Sequence, residues 1–332
     1  MSQPTIRHVA ERAGVSKSLV SLVMRGSSKV SDERRRLVLA AAEEIGYRPN
    51  AAARSLVRQE SHHLGLMVSD LRNPFFAEVT EGIVAAANAQ GYRVLINSGF
   101  LSPARETEAL ETLLELRMDG ILMAGARVAS RVIRHVAASV PVVAITRSVR
   151  LPGVDVVVND DHMGAGLAVD HLVELGHRRI AHIDGGSGSG ANRRARGYVA
   201  TMERHGLASH VRQVRADFTE EAGEAGVAQL LADGPRPTAI FCANDYQAVG
   251  VLDALREAGL DVPRDVSVVG YDNVHLASLR RLDLTTIHQP RQEMGEQAAR
   301  LLLERLTTDR ESRRVIIPPK LVVRGTTGPP PR

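Results

Sequence analysis

Near the N-terminus, apolar Ile6, Val9, Ala10 and Ala13 recur at three- and four-residue spacing among polar neighbours, which predicts an amphipathic helix. Gly14 follows, where a residue without Cβ takes the left-handed conformation that ends a helix. Ser16 is placed to cap a second helix, and Leu19, Val20 and Val23 return an apolar face. Lys17, Ser18, Ser21 and Leu22 fall between these and are expected to point outward. Ser31 is expected to cap a third helix running to about Ile45, with Leu37, Val38, Ala41, Ala42 and Ile45 as its apolar face and Gly46 as its stop. A short helix with small polar residues near its start, set after a tight turn, has the shape that enters a DNA major groove.

From residue 62 the period changes. Leu64-Gly65-Leu66-Met67-Val68 reads as a buried strand, 80–90 as a helix, and Arg93-Val94-Leu95-Ile96 as a strand. A helix over 106–117 and strands at 120–123 and 142–145 continue the alternation. The same beat restarts with helices at 164–175, 194–204, 220–231 and 246–258 and strands at 179–183, 211–215, 239–242 and 266–269. Strand–helix alternation implies parallel sheets covered on both faces, and two such units in series imply two lobes facing a cleft. Ligands of such sheets bind beyond the C-terminal strand ends.

Composition narrows this picture. At 332 residues the chain has room for two or three domains, and with 3% aromatic residues and no Trp its cores must be mostly aliphatic. The single cysteine, Cys242, excludes an intrachain disulfide and lies in an apolar run that reads as buried. There is no apolar N-terminal signal segment and no run approaching ~18 apolar residues, so a cytoplasmic protein without membrane contact is expected. Residues 1–60 carry eleven Lys/Arg against six Asp/Glu, while the whole chain has a formal net charge of +4. A basic head on a near-neutral body points to a polyanionic partner for the head.

The motifs Val9-Ala10, Ala13-Gly14-Val15-Ser16, Val20-Ser21, Val30-Ser31, Gly46-Tyr47 and the run from Arg48-Pro49-Asn50 through Ala53-Arg54-Ser55-Leu56 resemble the DNA-binding region of the lactose-repressor (LacI/GalR) family. The resemblance continues to about residue 327. It implies an α/β two-lobed periplasmic-binding-protein-like core, with parallel sheets flanked by helices, behind an N-terminal all-α helix-turn-helix DNA-binding domain. The implied domains are a head over 1–48, a hinge helix and linker over 49–61, a two-lobed effector-binding and dimerisation domain over 62–327, and a tail over 328–332. The chain is expected to cross between lobes near 160, 290 and 318, giving an N-lobe of 62–160 with 290–318 and a C-lobe of 161–289 with 319–327.

The resemblance also implies roles. Lys17, Ser18 and Leu22 take base-reading positions, although Leu22 stands where the family usually has Arg and cannot make a bidentate guanine contact. Thr5, Ser16, Ser21, Tyr47, Asn50 and Arg54 are expected at phosphates, which set register. Leu56 is expected to wedge into the minor groove, with Ala53 allowing close backbone approach. For the effector, Asn73, Phe75, Phe76, Arg147, Arg194, Phe218, Asp245 and Asp272 all follow predicted strand ends. Acidic acceptors opposite arginines suit a ligand rich in hydroxyls or ring nitrogens: a sugar or sugar derivative, with a purine or nucleoside as the other reading. No cofactor is expected, and the scattered histidines have no metal-ligand spacing. The implied protein is a homodimeric regulator of a palindromic double-stranded DNA operator, not an enzyme. A solute-binding module and an α/β-core enzyme are the alternatives, the first opposed by the basic head and the second by the lack of a nucleophile–base arrangement.

The wedge role makes a direct prediction. Leu56→Ala should weaken binding to a specific operator more than to random duplex, measured by titration of both at one salt concentration. Equal loss on the two DNAs would remove the wedge.

Overall fold

A computed structural model describes residues 4–24, 27–47 and 61–331. Expectations for Asn50, Ala53, Arg54 and Leu56 lie outside these residues. Internal contacts divide the chain into two compact units, Met1–Ser61 and His62–Arg332.

The first unit is a three-helix head: α1 (Ile6–Arg12), α2 (Lys17–Met24) and α3 (Asp32–Glu44). Gly14 takes φ +63° between α1 and α2, as its lack of Cβ allows, and the Val15 N–H donates to the Ala10 carbonyl at 3.0 Å. Ser16 caps α2 by accepting the Leu19 N–H at 3.2 Å. Ser31 precedes α3 in extended conformation, but its side chain makes no cap hydrogen bond. Val9, Ala10, Val20, Val23, Val30, Val38, Ala41 and Ala42 form the core. Leu37, expected on the apolar face of α3, is 50% exposed. It lies about 100° round the helix from Val38, past the edge of the Val38–Ala41–Ala42 stripe that a core this small can cover.

The second unit holds two six-stranded sheets. Its strands are β1 (His63–Val68), β2 (Arg93–Ser98), β3 (Gly120–Ala124), β4 (Val142–Ile145), β5 (Val154–Asn159), β6 (Ile180–Ile183), β7 (Arg212–Val214), β8 (Ala239–Cys242), β9 (Ser267–Asp272), β10 (Thr285–His288), β11 (Arg314–Ile317) and β12 (Lys320–Val322). Its helices are α4 (Pro74–Ala89), α5 (Pro103–Glu115), α6 (Ser130–Ala137), α7 (Asp161–Glu174), α8 (Ala191–Arg204), α9 (Glu220–Ala232), α10 (Asp245–Glu257) and α11 (Arg291–Thr307). The N-lobe sheet runs β11-β5-β4-β3-β1-β2, all parallel. The C-lobe sheet runs β12-β10-β9-β8-β6-β7, with only β12 antiparallel to its neighbour. The chain therefore passes between sheets after β5, after β10 and after β11.

Alternation along the strands explains the layers. Leu64, Leu66 and Val68 of β1 face Phe75, Val79 and Ile83 of α4 and Met294, Ala298 and Leu302 of α11. Met67 points the other way, into a second cluster with Leu110 and Leu113 of α5 and Ile133 of α6. Both faces of the central strands are apolar and both are covered, as an all-parallel sheet requires, while Leu95 and Ile96 of β2 and Ile316 of β11 stay exposed at the edges. Gly328, expected to begin a tail, is still tied down: its carbonyl accepts from His177 Nε2 at 2.8 Å and its N–H donates to Ser267 Oγ at 3.1 Å. Among the described residues no helix is long and apolar enough to cross a membrane.

The end of α11 is fixed by a buried charge. Asp155 in β5 has a fully buried side chain and accepts from Arg305 Nε at 3.0 Å, Arg310 Nη2 at 2.9 Å and the Arg313 N–H at 2.6 Å. Burial alone would raise its pKa, but these donors outweigh it and hold the carboxyl below the usual carboxylate range. A depressed folded pKa gives stability that is present above the unfolded value and lost as pH falls through the folded one. Asp155→Ala should destabilise the core unit by about 3–5 kcal/mol at neutral pH, because two arginines lose their carboxylate. Denaturant unfolding of wild type and variant should show this gap closing as the pH is lowered below about 4. A gap that persists unchanged to the lowest workable pH would show that packing, not charge, sets the loss.

Candidate functional site

On the head, Lys17 and Ser18 sit on the exposed face of the first turn of α2, and Thr5 and Ser16 are exposed beside it. Ser21 is half-buried, and so is Tyr47, which packs on the head core. Leu22, expected to point outward, is also half-buried against that core. An aliphatic side chain on the flank of a short helix recovers more by covering Val20 and Val23 than by standing in water.

The second site is a cleft between the two sheets, lined from both lobes and holding about 520 Å³, its open mouth included. Each wall is built from strand ends. After β1, Asn73 caps α4 by accepting the Phe75 N–H at 3.0 Å, and Pro74 starts the helix. This turn places Phe75 and Phe76 edge to face with ring centroids 5.2 Å apart. The buried Glu106 of α5 braces two neighbouring strand ends, accepting Ser69 Oγ at 2.8 Å, the Arg127 N–H at 2.6 Å and the Val128 N–H at 3.0 Å.

On the C-lobe wall, Gly185 and Gly188 flank the ring of Phe218. A Cβ on either would stand 2.2 Å from a ring carbon, so only glycine leaves room for the phenyl face. The buried Gln247 of α10 holds the surrounding loops: its Nε2 donates to the carbonyls of Asp184 and Asp217, each at 2.9 Å, and its Oε1 accepts the Ala243 N–H at 2.8 Å.

Arg194 of α8 lies between Phe218 and the lobe interior. Its Nε donates to Asp161 at 2.9 Å, Nη1 donates to the Ala243 carbonyl and stands 4.0 Å from Asp272, and the guanidinium carbon is 3.8 Å from the Tyr271 ring centre. Burial works against its charge, but Asp161, Tyr271 and Asp272 outweigh it and hold the group more firmly protonated than usual. Burial raises the pKa of Asp161 and of Asp272, with Arg194 opposing in both cases. Gln289, after β10, donates to Asp272.

The cleft thus brings together Asn73, Phe75, Phe76, Arg194, Phe218 and Asp272. Two expected members are absent from its lining. Arg147 follows Thr146, whose φ is +65°, and its Nη1 donates to the carbonyls of Ala126 and Val128. Asp245 is fully inside the C-lobe, accepting the Val274 N–H at 2.9 Å and the Thr286 hydroxyl. Asn244 occupies the cap position and faces the cleft, so the next helical residue turns about 100° inward. Burial and the nearby Asp272 charge raise the pKa of Asp245. Ser69, Asp70, Arg127, Thr146, Asn244 and Gln289 also line the cleft, and the expected set left them out. Four of these, Ser69, Asp70, Thr146 and Asn244, lie within three residues of a strand that the sequence pattern predicts, so the strand-end rule would have found them.

Two phenyl faces with carboxylate, amide and guanidinium groups between them make a binding cleft. Such a cleft, in one chain with a helix-turn-helix head, defines a ligand-responsive DNA-binding regulator. Residues 5–50 match the family described as "Bacterial regulatory proteins, lacI family", and residues 169–327 match "Periplasmic binding protein-like domain". The chain is 36% identical over 327 residues to the ribose operon repressor of Escherichia coli strain K12, covering 97% of this chain and 99% of the relative. It is 35% identical over 327 residues to the HTH-type transcriptional repressor PurR of Erwinia tasmaniensis, covering 96% of each. Its structure is similar to a crystal structure of the lac repressor dimer bound to operator and the anti-inducer ONPF, with TM-score 0.87 and 30% identity over 98% of this chain and 100% of that one. The chain belongs to the LacI family of bacterial regulatory proteins.

The Phe218 slot is open to test. Gly188→Ala should displace the ring and weaken cleft ligands at least as much as Phe218→Leu, with the fold retained by circular dichroism. Ligand affinity unchanged in Gly188→Ala would mean that Phe218 is not a contact.

Proposed function

We propose that this protein is a transcriptional repressor that binds a palindromic DNA operator as a homodimer and is controlled by a small polyhydroxylated effector in its cleft. The observation that carries the reading is the pairing of two features in one chain. One is α2, which offers Lys17 and Ser18 to solvent while Val20 and Val23 lock its other side into the head core. The other is the two-walled cleft, with Arg194 and Asp272 in its lining. Lys17 donates to guanine O6 or N7 and Ser18 to several bases, while Thr5, Ser16, Ser21, Tyr47, Asn50 and Arg54 set register on phosphates. Ala53 and Leu56 supply the minor-groove contact. Acting on DNA, the protein works in the cytoplasm at the nucleoid.

Overall identity to a ribose and to a purine repressor is nearly equal, so the cleft must decide the effector. Its polar groups include donors, acceptors and amides that do both, and Phe76 and Phe218 offer apolar faces. A monosaccharide has hydroxyls at its edge that both give and take hydrogen bonds and C–H faces that rest on aromatic rings, which fits this set. Ribose is the first candidate. Asn73, Phe75, Phe76, Arg194, Phe218 and Asp272 form its site, and the lobes transmit its binding because it favours one of their geometries over the other.

The test has two stages. Selection from a random duplex library at moderate salt should enrich a palindrome with a flexible central pyrimidine–purine step. Ribose should then shift affinity for that palindrome, and Asp272→Asn should abolish the shift while the palindrome is still bound. Purine bases run in parallel; a response to them alone replaces the sugar. No enrichment with any ligand present would sink the DNA-reading role.

A further inference from the structure

Arg127 stands in the loop after β3, on the N-lobe wall, with its side chain 11% exposed. Its Nη2 lies 3.5 Å from Oδ1 of Asp217, in the C-lobe loop just before Phe218, whose side chain is 56% exposed. Among the described residues this is the one ion pair that joins the two cleft walls. Arg127 also lines the cleft, whereas Asp217 does not.

Both partners are anchored in their own lobes. The Arg127 N–H is held by the buried Glu106 at 2.6 Å. The Asp217 carbonyl is held by Gln247 at 2.9 Å, and the adjoining Phe218 ring sits between Gly185 and Gly188. The backbone at each end is thus fixed to its own lobe, so a change in the separation of the lobes changes the gap that the two side chains must span. A guanidinium has five N–H donors, more than one carboxylate oxygen at 3.5 Å can use.

We propose that Arg127 and Asp217 form a cross-cleft tie through which the lobes sense the effector, Arg127 meeting the ligand with the donors that Asp217 leaves free. The proposal rests on the reading of the cleft as the effector site. It also sets a chemical preference. A neutral ligand that offers a hydroxyl or ring oxygen to Arg127 leaves the tie intact and closes the cleft. A ligand carrying its own carboxylate or phosphate draws the guanidinium away from Asp217 and loosens the walls.

The test uses the full chain with spin labels at Glu111→Cys and Glu224→Cys, exposed positions on α5 and α9; Cys242 is buried and does not compete. Asp217→Asn should shift the inter-label distances to longer values and weaken ribose binding about two- to fivefold, the scale of one solvent-exposed ion pair. Arg127→Gln should do at least as much, because it also removes a ligand donor. The exchange Arg127→Asp with Asp217→Arg should restore the distances but not the ribose affinity, separating the tie from the ligand contact. Unchanged distances in Asp217→Asn would overturn the tie. Longer distances in Asp217→Asn, in a protein that binds no monosaccharide, would uphold the tie and overturn the sugar reading instead.

Discussion

A guanidinium taken out of water must be met by fixed acceptors, because the desolvation of the ion amounts to several kcal/mol even after relaxation. Arg194 is such a group, and its acceptors come from three separated segments. Asp161 is the first residue of α7, directly after the chain first leaves the N-lobe sheet. The Ala243 carbonyl directly follows β8, and Asp272 ends β9, with Tyr271 stacked beneath the charge. Satisfying one side chain therefore fixes the first crossover, the Phe218 slot and two strand ends relative to each other. What remains at the cleft is an arginine whose charge is already balanced, next to carboxylates whose pKa burial has raised. Such a site meets a neutral polar ligand without needing a counter-charge from it.

The head works under the opposite constraint. Its core is small and wholly aliphatic around Val9, Val20 and Val38, so each helix can bury only a narrow stripe. That leaves the other faces of α2 and α3 exposed, Leu37 and Leu39 of α3 among them, and the Arg12–Glu44 ion pair ties α1 to α3. Leu22 belongs to both worlds. Its half-burial means that any contact with a thymine methyl is made by the edge of a side chain the core already holds, which limits how far it can reach toward a base.

The architecture was legible where the signal was local. Periodicity placed α1, α2, α3 and the strands of both sheets that lie between helices, and the rule that ligands sit at strand ends led to six of the residues that line the cleft. It failed where the deciding interaction lies far away in sequence. In β5 the acid at Asp155 interrupts an apolar run, and only Arg305 and Arg310 make its burial tolerable. In α4 the helix begins at Pro74, not near residue 80, because Asn73 caps it and Phe75 packs into the core. The cap signal was present in Asn73-Pro74 but was outweighed by the aromatic pair, which reads as loop-borne ligand contact. Arg147 and Asp245 share one cause: Thr146 and Asn244, just past their strand ends, face the cleft, and the next residue turns away.

Because α11 covers the same face of the N-lobe sheet as α4, that sheet stays half-clad until very late in synthesis. Leu64, Leu66 and Val68 leave the ribosome early, yet Met294, Ala298 and Leu302, which seal them, follow more than two hundred residues later. At about 5–20 residues per second the delay is on the order of 10–50 s. Throughout it, the nascent chain carries an apolar sheet face that only α4 covers, while C-lobe strands β6 to β10 emerge and pair with one another. Of the two lobes the N-lobe is translated first, yet its sheet must wait for α11, so its apolar face is the one exposed to aggregation for longest before the chain is complete.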